Sequence, residues 1–405
     1  MRYMWKMTMV CFLVLALLAV PLLGCGGEGG AGKTTITVGL ITDYTGATAV
    51  PFHPINLAVE DLVRHINEDD PIPGVRLKIV SWDEKYDPSR DIPGWDWLRG
   101  KGASLVITPA PWAAETLKPF AERDKTPICT WAAIDQLVDP PGWVFCAGQR
   151  TTPMTATLLK WISEQWPNYP TRPKVATCAT NQTAQIAFGN AVEQYCQANP
   201  DKFEFVGNYA APAGTMIWSG EVEKLKDCDY IGIQEATPFS ATFIKQYRSK
   251  GYKARLFDLD SIASQRSMHI NMVGWEGMDR GISFLPWGWW GDPFAFPELS
   301  EELLYRYHPG EADDTIYAGL SYLAMYAPAI FFDIVRQTVE EVGAENFDGQ
   351  AFYNTATKFK RTYEGYPERG FTETVRHLGR QAAVYEWRAD VKNLVRITDW
   401  LPETQ

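Results

Sequence analysis

The stretch Ile36-Thr37-Val38-Gly39-Leu40-Ile41-Thr42-Asp43-Tyr44-Thr45-Gly46 decides how the chain is read. Ile36 to Ile41 is a short apolar, β-branched run that suits a strand. Asp43 to Gly46 is turn chemistry, since Asp bonds its own backbone and Gly relaxes the geometry. The next segment changes period. From Pro54 to Asn67, the apolar residues Leu57, Val59, Leu62, Val63 and Ile66 fall at helical spacing. Strand, turn and helix in that order are the opening of an α/β unit.

The alternation continues outward from this unit. Val75 to Trp82 reads as a second strand, and a short helix closes at Leu98 to Gly102. Ser104 to Ile107 reads as a third strand, 113–124 as a helix and Thr126 to Thr130 as a fourth strand. The pattern then restarts. Helices at Leu158 to Trp166, Thr183 to Ala198, Val222 to Lys226 and Ser240 to Ser249 alternate with strands at Lys174 to Cys178, Phe203 to Tyr209, Tyr230 to Ile233 and Arg255 to Leu259. Strands alternating with helices predict layered α/β structure with mainly parallel sheets. Two such series predict two lobes. An aromatic loop, a long helix near 313–342 and two β-like runs, Ala382 to Trp387 and Leu394 to Trp400, complete the chain.

Composition narrows the function classes. The 405 residues exceed one ordinary domain and suit two lobes, and 46% hydrophobic with 21% charged residues is globular composition. With 49 acidic against 38 basic residues the chain carries a formal charge of −11, which argues against nucleic acid as a partner. The five His include no i, i+4 pair, and Gly281-Ile282-Ser283-Phe284-Leu285 lacks the second Gly of a nucleophile elbow. No catalytic constellation, metal-ligand set or cofactor motif is read, so neither an enzyme nor a bound cofactor is expected.

The N-terminus reads as a targeting segment. Arg2 and Lys6 precede an apolar run from Met7 to Leu23, which ends in Leu22-Leu23-Gly24-Cys25. This resembles the lipobox of bacterial lipoproteins and implies a signal peptide over 1–24 and lipid on Cys25. Residues 25–33 are a Gly-rich tether. Gly27 to Thr34 also satisfies the P-loop string, but that chemistry needs a strand before and a helix after. A leader precedes this string and a β-like run follows, so an ATP site is not expected. Beyond Cys11 and Cys25, five cysteines remain: Cys129, Cys146, Cys178, Cys196 and Cys228. Their odd number and strand-like surroundings suit buried thiols better than a disulfide framework.

Four segments together carry a family resemblance. They are the opening Ile36 to Gly46, the acidic Trp82-Asp83-Glu84-Lys85-Tyr86-Asp87-Pro88, the helix and turn Phe243 to Tyr252, and the late helix Tyr317 to Gly343. In order and spacing they resemble the type I periplasmic solute-binding proteins of ABC importers, in the leucine/isoleucine/valine-binding family. The resemblance implies two Rossmann-like lobes joined by three crossover segments, with a ligand cleft between them. It implies lobe I over 34–155 plus about 282–350, and lobe II over 156–281 plus about 351–405. It also implies an exported, lipid-anchored protein that hands a small solute to a membrane permease. A sensor of the same fold, feeding a signalling partner, is the alternative.

The resemblance places the family's ammonium-binding acid on Asp260. Its carboxylate-binding hydroxyls fall near Pro111 and Ile134, and two second-lobe aromatics fall near Ala184 and Ala236, so those contacts are largely missing. Thr130, Thr183 and Thr237 lie close enough to substitute, beside Ala132. Trp112 and Trp131 add flat apolar surface, and Phe52 falls where some members place an aromatic over the ligand. The pattern shifts the expected solute from leucine towards a larger, aromatic or amide-like one. Phe284 to Phe294 is the densest aromatic stretch and suits packing first, with a cleft-facing Trp287 or a surface for the permease as the alternatives.

Overall fold

The computed structural model describes residues 33–168 and 170–404. The leader, Cys25 and the tether up to Gly32 lie outside the described residues. Lys33 and Thr34 lead straight into a strand rather than a helix, so the P-loop string lacks its helix.

The first sheet is wholly parallel. β1 (Thr34–Thr42), β2 (Val75–Asp83), β3 (Ala103–Thr108), β4 (Ile128–Thr130) and β5 (Val144–Cys146) lie in the order β2-β1-β3-β4-β5. The connecting helices are α1 (Ala49–Glu68), α2 (Asp91–Gly100), α3 (Pro111–Asp124) and the single-turn α4 (Asp135–Val138). Helices cover both faces, which is why β1 reads as an apolar run: Ile36, Val38 and Leu40 pack with α1, and Ile41 packs with Trp95 and Leu98 of α2. Helix α1 begins at Ala49, earlier than the apolar period indicates, because Asp43 organises its start. The Asp43 carboxylate accepts from the N–H groups of Thr45, Gly46 and Thr48 and from the Thr48 hydroxyl.

The second sheet is mixed. It takes α5 (Thr151–Glu164), β6 (Lys174–Thr180), α6 (Thr183–Ala198), β7 (Glu204–Ala211), α7 (Ser219–Lys224), β8 (Tyr230–Gly232), α8 (Pro238–Ser249) and β9 (Arg255–Asp258). The short helices α9 (Ser261–Ser264), α10 (Arg266–Val273) and α11 (Trp275–Met278) lead to β10 (Ile282–Leu285). The chain then returns to the first lobe through α12 (Ala295–Tyr307), α13 (Ala312–Ala318), α14 (Tyr326–Val342), α15 (Gly349–Ala356) and a ribbon of β11 (Lys360–Arg361) and β12 (Arg369–Gly370). β13 (Gln381–Arg388), β14 (Asn393–Arg396) and β15 (Leu401–Pro402) complete the second sheet, in the order β14-β13-β10-β9-β8-β6-β7 with β15 on β13.

Two expected boundaries move. β10 was assigned by resemblance to the first lobe, but it pairs with β9 and β13 in the second sheet. The resemblance puts 351–405 in the second lobe; β13, β14 and β15 do join the second sheet, but Phe352 and Phe371 pack edge-on against Phe145 of β5. The physical reason is burial. An interior strand such as β10 needs partners on both sides, and the aromatic face of α15 covers the end of the first sheet.

The expected continuous helix near 313–342 is broken. Gly319 holds φ +140°, and a Cβ there would lie 2.5 Å from the Ser264 carbonyl oxygen. The backbone turns sharply between α13 and α14, and the Gly319 carbonyl accepts the Trp290 indole N–H.

The lobes are joined by crossings near 147–150, 286–294 and 376–380. They are bonded to one another. Gly379 N–H donates to Gly148 O at 3.0 Å, Trp287 Nε1 to Ala147 O at 3.2 Å and Gln149 Nε2 to Phe284 O at 3.3 Å. Arg369, almost wholly buried, donates to the carbonyls of Pro286, Leu378 and Gln381 and lies with its Cζ 4.8 Å from the Trp287 ring centroid. The five described cysteines are all free and buried, and burial raises each thiol above its ordinary pKa.

Candidate ligand-binding cleft

The carboxyl ends of parallel strands are where an α/β sheet leaves a crevice. Here the segments after β3, β4, β8, β9 and β10 carry Trp112, Trp131, Thr237, Asp260 and Trp287 to one cavity of about 770 Å³ between the lobes. The start of α1 brings Phe52 to its rim, and the broken turn before α14 brings Tyr326.

The walls are aromatic. Phe52 and Trp112 stack with ring centroids 6.0 Å apart and planes at 10°. Tyr86 meets Trp112 edge-on at 4.9 Å. Trp131 is anchored by its indole N–H on the Ala324 carbonyl at 2.7 Å, a bond from β4's loop to the turn before α14. The carbonyl and indole fix the ring's direction, so this wall is set before any solute arrives.

Among the described residues, Asp260 is the single carboxylate lining this cavity. It occupies the N-cap position of α9, yet its side chain makes no capping bond and instead accepts from Gln234 Nε2 at 2.9 Å. Burial raises its pKa, opposed by the amides of Gln234 and Gln149. The Tyr326 hydroxyl makes no hydrogen bond among the described residues, and burial and then the Asp260 charge push its pKa up. A solute in the cavity therefore meets one acid and one free phenol within a mostly apolar wall.

Thr237 also lines the cavity, but its hydroxyl is engaged. It donates to Glu235 Oε1 at 2.7 Å and accepts from Phe239 N–H at 3.3 Å, capping α8. Glu235 is fully buried and also accepts from the Thr180 backbone and hydroxyl. Thr183 opens α6 and lines a second chamber of about 690 Å³, which lies beyond Trp112 and shares that residue with the first. Thr130 and Ala132 line neither chamber. Successive strand residues point to opposite faces. With Trp131 turned into the cavity, Thr130 is turned into the sheet, where it is fully buried and its hydroxyl has no partner.

Behind Trp112 lies a buried acidic pair. The indole N–H donates to Glu84 Oε2 at 3.4 Å, while Glu84 Oε1 and both Asp91 oxygens have no hydrogen-bond partner. Burial, and then the neighbouring Glu84 charge, push the Asp91 carboxyl up to about 6.

The sequence marks Trp287 for packing before the cleft, and it does not mark Tyr326 at all. Trp287 lies in an aromatic stretch that suits packing, and it stacks on Tyr326 while lining the cavity. Tyr326 lies in an unbroken apolar run, with nothing local to mark the turn that exposes it.

The Periplasmic binding protein family matches residues 35–392 of the chain. No curated protein sequence matches it. Among solved structures, it is similar to a branched-chain amino acid ABC transporter protein from Thermus thermophilus with bound valine. That likeness has 17% identity over 92% of this chain and 98% of the other, with a TM-score of 0.79. It is also similar to the solute-binding protein of an ABC transporter from Rhodopseudomonas palustris in complex with 4-hydroxybenzoate, with 17% identity over 92% and 98% and a TM-score of 0.74. A branched-chain amino acid transporter substrate-binding protein from Streptococcus pneumoniae, in complex with isoleucine, matches at 15% identity over 90% and 100%, with a TM-score of 0.69.

Proposed function

The chain belongs to the Periplasmic binding protein family, and on that premise we propose that it is the extracytoplasmic solute-binding component of an ABC importer. It captures a small organic solute, an amino acid or an aromatic or amide-like compound, and delivers it to a membrane permease. Its role is binding rather than catalysis. The observation that carries this reading is the aromatic-walled cavity between two lobes, with Asp260 as its single lining carboxylate. Phe52, Trp112 and Trp131 hold the body of the solute and Asp260 holds its polar end. Solute contacts made to both lobes favour the closed arrangement, and the permease takes that arrangement up. Lipid on Cys25 keeps the protein at the membrane, and within the family the chain falls in the leucine/isoleucine/valine-binding group.

Similar structures with bound valine, isoleucine and 4-hydroxybenzoate support both the solute size and the spread of chemistry. The test is a thermal-shift screen of amino acids, aromatic acids, amides and amines, followed by small-angle scattering on each hit. A solute that binds the native state raises the midpoint by mass action. A saturable shift with a smaller radius of gyration supports the reading. A panel that leaves both midpoint and radius unchanged defeats it.

A further inference from the structure

We infer that the solute is an organic cation: an amine or ammonium group on an aromatic or apolar body, carrying no carboxylate. This rests on the solute-binding reading above and narrows it. The first observation is the charge of the lining. Among the described residues, the main cavity is lined by Asp260 and no Lys, Arg or His, and the chamber beyond Trp112 adds Glu115 and Asp135, again without a base. Of these two acids, Asp135 is paired with Arg150 at 2.7 Å, which leaves Glu115 as the further lining carboxylate without a cation.

The groups around the lining deepen this bias. Fully buried Glu235 lies under the Thr237 side of the cavity, and fully buried Glu84 touches the Trp112 indole from behind. Arg369, stacked on Trp287, lies outside the lining; its Nη donors go to the carbonyls of Pro286, Leu378 and Gln381, and its buried Nε has no partner among the described residues. Asp260 thus faces the cavity with amide donors alone to balance its charge. A carboxylate with no cation in a partly apolar cavity is costly unless a ligand supplies the counter-charge.

A solute carboxylate finds poor reception here. Helix starts ordinarily hold anions with free N–H groups. Of the helices of eight or more residues that start at this cavity, α1, α3 and α8 have lost donors, α3 because it opens on Pro111, which has no N–H. α8 opens on Pro238, which has no N–H, and Thr237 already takes the Phe239 N–H. At α1, the Ala49 N–H donates to the Gly46 carbonyl and Pro51 has none to give. Aromatic rings instead present electron-rich faces, which attract cations and disfavour anions.

The test uses the purified full chain and matched triplets of ligands that share one body. Tryptamine, tryptophan and indole-3-propionate form one triplet, and phenethylamine, phenylalanine and 3-phenylpropanoate another. Isopentylamine, leucine and 4-methylpentanoate complete the set. Calorimetry is expected to show an amine binding at least ~10-fold more tightly than its zwitterion and acid, with that preference lost in Asp260→Asn. An unliganded melting midpoint no lower than wild type shows that the variant is folded. Equal or tighter binding of a zwitterion or acid overturns the cation inference while leaving the solute-binding reading intact. Silence from all three triplets also overturns it, and silence across the wider solute panel removes the solute-binding reading as well.

Discussion

Trp287 lies flat on Tyr326, with ring centroids 4.8 Å apart and planes at 17°. The first residue belongs to a crossing between the lobes and the second opens a helix of the first lobe. Both rings line the cavity. One stacked pair therefore serves the joint between the lobes and the binding site at once. Trp287→Ala is expected to lower stability by about 3–5 kcal/mol, as truncation of a buried aromatic generally does. Solute binding should fall with it. Trp287→Phe, which keeps a ring on Tyr326, should recover most of the stability. Chemical denaturation of both variants, with calorimetry on the solute found, checks the pair. Equal stability of wild type and the alanine variant would contradict this account.

Asp260 separates affinity from stability. Its carboxylate is penalised by burial in the unliganded protein, so Asp260→Asn should leave the unliganded melting midpoint unchanged or raise it. Binding of an amine should weaken by roughly 10- to 100-fold, the scale of a charge-assisted hydrogen bond. Melts without ligand and titrations with it check the two halves independently.

Asp91 predicts a pH dependence. Its pKa rises from 3.8 to about 6 in the folded protein. The folded state then holds more protons than the unfolded one between these values, so stability falls as pH rises through that window. Above about pH 6 the whole penalty is in place. Asp91→Asn, which leaves no donor stranded because neither oxygen has a partner, should stabilise the protein at pH 7.5 by about 1–3 kcal/mol. It should also flatten the midpoint between pH 4 and about 6. Melts across pH on both proteins check it, and parallel profiles would assign the acid dependence elsewhere.

Gly319 is the hinge of the helix break, and its requirement is steric. A side chain at φ +140° is strained, and its Cβ would meet the Ser264 and Ala263 carbonyls at 2.5 and 2.6 Å. Gly319→Ala should lower stability by at least about 2 kcal/mol. It should also disturb the seat of Trp290, whose indole N–H donates to the Gly319 carbonyl. Denaturation and near-ultraviolet dichroism together check this.

Cys25→Ala tests the anchor. Membrane fractions of cells producing the wild-type chain should hold the protein, and those producing the variant should release it to the soluble extracytoplasmic fraction. Equal partition of the two would refute the lipid reading.

The α/β layering was legible because buried parallel strands such as β1 cannot alternate polar with apolar residues, and their runs stand out between helical periods. Asp260, Trp112, Trp131 and Phe52 line the cavity, and their candidacy came from the family resemblance rather than from any local pattern. Thr130 misled because proximity in sequence does not give a side chain's face, and the strand pleat turned it away from its neighbour Trp131. The break at Gly319 was hidden because α14 is buried and apolar, and a turn within an apolar run leaves no change of period. The ends of the crossings were misplaced because they follow from which sheet an edge can join, a tertiary fact that no local pattern records.

The bonds among the three crossings have a wider consequence. Three independent links would let each lobe tilt and slide, but links fastened to one another permit essentially one motion about a shared axis. Arg369 fastens the second crossing to the third through the carbonyls of Pro286 and Leu378, and it lies outside the cavity lining. Loosening it should change how often the unoccupied protein visits its binding-competent geometry, and apparent affinity scales with that fraction. Binding strength in this protein is thus adjustable from a position outside the cavity, without altering which solute is chosen.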